Sequence, residues 1–122
     1  MAFINDDVLD AALDEIINAT SKVLHICSQE PTTYTEASST YTLGNKSAPT
    51  VGTKADGDVS GRKCTISAIT DGSVTGTDTA THWALVDGSR LLATEALASS
   101  QSVTSGNDFT LTAIDIEFPD PA

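Results

Sequence analysis

Basic residues are scarce in this chain of 122 residues: six lysines and arginines stand against 17 acids, giving a formal charge of -11. They are scattered at Lys22, Lys46, Lys54, Arg62, Lys63 and Arg90. No basic patch forms from that set, which excludes a nucleic-acid partner, because phosphate binding draws on clustered Lys and Arg. Long hydrophobic runs are also missing, and none approaches the roughly 20 residues a membrane helix needs. The opening Met1-Ala2-Phe3-Ile4-Asn5-Asp6-Asp7 carries acids where a secretion signal has a basic region followed by an apolar one, so synthesis and folding in a cytosol are expected. Cysteine is limited to Cys27 and Cys64, each inside an apolar, strand-like run. Two readings stay open: a pair of small buried hydrophobes kept reduced, or a disulfide formed after release from the cell. With no further Cys or His at ligand spacing, no zinc site is expected.

What is present bounds one domain, long enough to bury roughly two thirds of the surface its unfolded form exposes. The excess of one sign makes copies repel, so self-association has to bury apolar surface or bind counterions. The stretch from Thr79 to Phe118 holds the sole tryptophan and two of three phenylalanines, in runs Thr79–Val86, Leu91–Leu97 and Phe109–Phe118. Asp87-Gly88 between the first two is a hairpin signal, since both residues tolerate positive φ. The three runs are expected as strands of the main sheet, with Trp83, Leu85, Leu92, Phe109, Leu111, Ile114 and Ile116 in the core. Phe109 and Leu111 share one parity while Ile114, Ile116 and Phe118 share the other. A bulge or a crossing between sheets near Thr112-Ala113 follows.

Upstream, Asn5 is placed to cap a helix over about Asp6 to Ala19 whose first turn is acidic and whose Leu9, Leu13, Ile16 and Ile17 recur at helical spacing. That face either packs on the domain's own core or docks a neighbouring subunit. Lys22 to Cys27 is expected as a buried strand ending before Pro31, with His25 on the face opposite Leu24 and Ile26 as a hydrogen-bonded structural histidine. Thr32 to Thr53 is expected as a long connection with a short edge strand at Tyr41 to Leu43, and its Tyr34, Tyr41 and Leu43 join Leu9, Leu13 and Ile16 as interface candidates. Asp56-Gly57-Asp58-Val59-Ser60-Gly61 has the opening half of a calcium loop, with Asp56, Asp58 and Ser60 as oxygen donors. The position of the closing glutamate is Ser67, so an ordinary turn is the default. Arg62 to Ile69 alternates, and Asp71-Gly72 is expected to turn it into a hairpin with Ser73 to Thr77. The predicted fold is mainly β, an antiparallel β-sandwich (jelly-roll or Ig-like) with one N-terminal amphipathic helix. Residues 1–21 form the helical arm, 22–118 the sandwich and 119–122 an exposed tail.

The order of these features is similar to that of small virion proteins of tailed bacteriophages, of the head decoration (cement) or tail-fibre-like kind. The match is carried by Leu24 to Pro31, by Ala80-Thr81-His82-Trp83-Ala84-Leu85-Val86-Asp87 with the leucine run to Leu97, and by Val103-Thr104-Ser105-Gly106-Asn107-Asp108-Phe109. The resemblance implies a β-sandwich without catalytic residues or cofactor, assembled in many copies on a capsid or tail, with a homotrimer or other homo-oligomer on the capsid surface as the expected arrangement. Its implied ligand is the major capsid protein, met through the Thr32 to Thr53 loop and the N-terminal helix. Two cysteines and a strongly acidic first helix depart from that pattern. A tail-associated host-recognition module, presenting Tyr34 and Tyr41 to sugars, is the alternative. An enzyme is disfavoured. Ser89, His82 and Asp87 are close in sequence, yet His82 and Asp87 have opposite parity on a strand that turns at Asp87.

Overall fold

The computed structural model describes residues 4–119. The described residues are mainly β, with two antiparallel sheets and a single N-terminal α-helix, the components of the sandwich-like class predicted above. The helix is α1, Asp6–Ile17. The strands are β1 Val23–Cys27, β2 Thr42–Ser47, β3 Ala55–Asp56, β4 Arg62–Ile66, β5 Ile69–Val74, β6 Asp78–Val86, β7 Leu91–Val103, β8 Asp108–Leu111 and β9 Ile114–Phe118. Contacts divide the chain into two compact units that do not follow the predicted arm, sandwich and tail. One unit takes the described residues of 1–19, 50–68 and 112–122, and so joins the helix to β3, β4 and β9. The other takes 20–49 and 69–111. Of the predicted tail, Pro119 is exposed and the rest lies outside the described residues.

In the first unit, the Asn5 side chain accepts the Asp7 N–H at 2.8 Å, the cap that starts α1. Leu9, Leu13 and Ile16 are buried, and the helix lies against β4, whose Cys64 and Ile66 are buried in turn. The sheet runs β3-β4-β9, with β4 and β9 in unbroken register from Arg62↔Phe118 to Ile66↔Ile114. Gly61 closes the β3–β4 turn at φ +72°, where a side chain would be strained and would also meet the Phe118 carbonyl.

The second unit is the six-stranded sheet β7-β6-β1-β2-β5-β8. Its two edge strands are consecutive in sequence, joined by residues 104–107. Laid flat, six strands would hold those edges roughly 24 Å apart, and the connection spans roughly 18 Å at most. The sheet therefore curls, and the Gln101 side chain of β7 donates to the Thr110 carbonyl of β8 at 2.9 Å. Cross-strand partners share a face. Leu24↔Leu85 and Ile26↔Trp83 place those four on one side, with Val74 reached through the row Ile26↔Gly44↔Val74. Val23, Cys27, Ala84 and Val86 take the other side.

Three local expectations fail for reasons visible here. The predicted edge strand at Tyr41 to Leu43 is β2, an interior strand between β1 and β5, preceded by a π-helical turn at Glu36–Thr40. Asp87-Gly88 does sit between paired strands, but neither residue has positive φ; the connection is four residues long, and the Asp87 carboxylate accepts the N–H groups of Ser89 and Arg90 at 3.1 and 3.0 Å. Asp71-Gly72 is no turn and lies inside β5, which belongs to a different sheet from β4. Gly72 is there because it faces Phe109, which is 2% exposed, and any Cβ would run into that ring. Gly72→Ala is expected to lower stability by about 1–3 kcal/mol. A urea midpoint shift at unchanged slope, partly recovered when Phe109→Leu is added, is the measurement that checks it. Of the named core residues, Trp83, Leu85, Phe109, Leu111 and Ile116 are buried, whereas Leu92 and Ile114 are half-buried. Leu92 falls where the β6–β7 register slips between Leu85↔Ala93 and Val86↔Leu91, which takes it out of the ladder.

Candidate functional site

Residues 31–41 cover one face of β1 and β6. Tyr34, Tyr41, Val23 and Leu91 pack half-buried around Cys27, Ala37, Ala84 and Val86. Glu36 pins this cover: its carboxylate accepts the N–H and hydroxyl of Thr32, both at 2.9 Å, and the Tyr41 hydroxyl at 3.3 Å. The Thr32 N–H chiefly holds the Glu36 carboxyl below its ordinary range, and the Glu36 charge raises the Tyr41 phenol. Tyr34 and Tyr41 are thus committed to this packing and do not form the exposed aromatic pair expected of a sugar platform, and Leu43 is itself buried in β2. Leu9, Leu13 and Ile16 are likewise covered within their own unit.

The histidines are held locally. His25 Nδ1 lies 2.9 Å from Thr42 Oγ1, and burial lowers its pKa, so the neutral ring is favoured. His82 Nδ1 lies 2.9 Å from Thr81 Oγ1, whose hydroxyl donates to the Ser28 carbonyl at 3.0 Å. Asp87 takes Arg90 Nε at 2.8 Å, and that bond is the chief reason its carboxyl is depressed. The hydrogen bonds at Ser89, His82 and Asp87 are turn or strand-side contacts and do not form a relay among the described residues. Cys27 and Cys64 are buried free thiols, and burial pushes Cys27 up to about 11, far from the thiolate that disulfide or metal chemistry needs.

Charge gathers in the first unit. Ten of the 17 acids and three of the six bases lie in its segments. Arg62 Nε meets Asp10 Oδ1 at 2.7 Å and its Nη1 meets Asp56 Oδ1 at 2.7 Å. Lys54 Nζ reaches the Asp14 oxygens at 2.9 and 3.2 Å. Lys63 Nζ joins Asp58 at 2.6 Å and Asp115 at 3.2 Å, and the Thr65 hydroxyl adds a 2.8 Å bond to Asp115. That hydroxyl is the leading cause of the lowered Asp115 pKa, ahead of Lys63. Asp56 and Asp58, two of the candidate cation donors, therefore turn to Arg62 and Lys63. Among the described residues no group of three His, Cys, Asp or Glu side chains is placed to hold a metal ion.

The feature the sequence reading passed over is the outer edge of β9. Among the described residues β9 pairs with β4 alone, through a ladder without slips, and Asp115 and Glu117 alternate along it with Ile114, Ile116 and Phe118. The alternation was available in the residues, but the unpaired edge depends on which strands pair. Compared with known proteins, the chain matches no family model, no curated protein and no solved structure.

Proposed function

We propose that this chain is a non-enzymatic structural protein of a bacteriophage virion, a capsid decoration (cement) protein that bridges major capsid protein subunits as a homotrimer or other homo-oligomer. The observation that carries this reading is what the chemistry-bearing side chains are used for. His25, His82, Asp56, Asp58 and Asp87 each hold a neighbouring turn, strand or ion pair. Surface and copy number then remain as the means of action, and many modest contacts add up when the partners sit in a lattice. The resemblance drawn from Ala80–Asp87 and Val103–Phe109 to small virion proteins is what supports a particle as the setting. The acidic surface suits a protein that stays soluble and apart until it docks.

The test is a stained gel of purified particles, with band intensity referred to the major capsid protein. A copy number on the scale of the capsid lattice is expected. A handful of copies would move the chain to the tail, and its absence from particles, or turnover of cell-wall material by the isolated protein, would overturn the proposal.

A further inference from the structure

The edges of the two sheets are not equally protected. β7 loses register with β6 twice, between Ala80 and His82 and between Leu85 and Val86, and such bulges twist an edge away from incoming strands. β8 spans Asp108–Leu111, with its Thr110 carbonyl already taken by Gln101. β3 is Ala55–Asp56 and offers little to pair with. β9 differs from all three: Ile114–Phe118 is paired along its whole length to β4, unbulged, with no proline or glycine inside it and no second neighbour among the described residues. Backbone groups on its far side have no strand partner among the described residues, and an unpaired edge of that kind is a template for an added strand.

We infer that the β9 edge takes an added antiparallel or parallel strand from another protein, an extended segment in which Lys or Arg alternates with apolar residues. This deepens the assembly role proposed above by naming the chemistry of the docking segment. One face of the edge carries Asp115 and Glu117 beside Lys63 and Asp58, three carboxylates to one cation. The other carries Ile114, Ile116 and Phe118, of which Ile114 and Phe118 are left half-buried. A segment with the same period of two puts bases against the first face and apolar side chains against the second.

A second copy of this chain is the wrong occupant. Antiparallel self-pairing centred on Ile116 would set Asp115 directly against Glu117 twice, and like charges facing one another across strands are destabilising. Slipping by one residue would set acids opposite isoleucines and carry them to the wrong face. Charge complementarity thus selects a basic partner over self-pairing at this edge, and a homo-oligomer would form through other surfaces.

The experiment uses the full chain and an acetylated, amidated peptide alternating valine and lysine, about seven residues long. Controls replace lysine with glutamate, or gather the same residues into a lysine block and a valine block. The alternating lysine peptide is expected to slow amide exchange within 114–118 and to bind at least about tenfold more tightly than either control, a gap that closes as salt is raised. Equal binding of the glutamate peptide, protection at β7 or β8 in place of β9, no binding at all, or dimers formed through β9 without peptide would each overturn it. Virion occupancy is read separately. Particles lacking the chain defeat the proposed function and leave peptide binding standing, and the reverse result defeats this inference alone.

Discussion

Trp83→Ala is expected to cost about 3–5 kcal/mol of folding stability, a large share of the roughly 5–15 kcal/mol a marginally stable domain has. Trp83 is 4% exposed, and its row on the curled sheet continues into Ile26 on β1 and, across Gly44, into Val74 on β5. Removing the indole opens a cavity that several strands border, and close-packed interiors relax into such voids only in part. Leu92→Ala is the matched control. A half-buried side chain beside a register slip loses little packing when shortened, and its cost is expected below about 1 kcal/mol. Trp83 is the chain's sole tryptophan, so far-UV circular dichroism in urea is the common probe for both variants. Equal losses at the two positions would mean that the core does not run through the Trp83 row.

How far the sequence disclosed this fold depends on how local each signal is. The Asn5 cap and the spacing of Leu9, Leu13 and Ile16 involve neighbours in sequence, and α1 starts and packs as they predict. The parity change after Leu111 is also local, and the chain does leave one sheet for the other across Thr112-Ala113. A strand start near Leu43 was legible, but the length and interior place of β2 were hidden because Gly44-Asn45-Lys46 has weak strand propensity on its own. What selects it is non-local: an added Cβ at Gly44 would lie 2.5 Å from the Ser73 carbonyl, so glycine is what lets β2 sit between β1 and β5. Asp71-Gly72 misled in the same way, since a glycine required by a ring from a distant strand looks like a glycine required by a turn. The candidate docking edge follows this pattern. Its alternating acids and apolar residues are legible in the sequence, whereas its lack of a second neighbour is a property of strand order and could be seen only after folding.

Leu13→Ala is expected to cost about 2–5 kcal/mol, because Leu13 is 0% exposed at the centre of the α1 face that meets β4. Ion pairs also tie the helix down through Asp10–Arg62 and Asp14–Lys54. Solvent-screened pairs of that kind contribute little each, against about 1.5–3 kcal/mol for fully burying each large aliphatic side chain. Apolar burial by Leu9, Leu13 and Ile16 is therefore the main hold on the helix, and high salt alone is not expected to release it. Val8→Ala on the exposed flank of the helix, where Val8 is 61% exposed, is expected to change stability by less than about 0.5 kcal/mol. Urea melts of the three proteins separate the two roles open to this helix. A docking arm would tolerate Leu13→Ala in the isolated chain and lose only assembly, whereas a helix that completes the core of its unit loses that unit's stability before any partner is added.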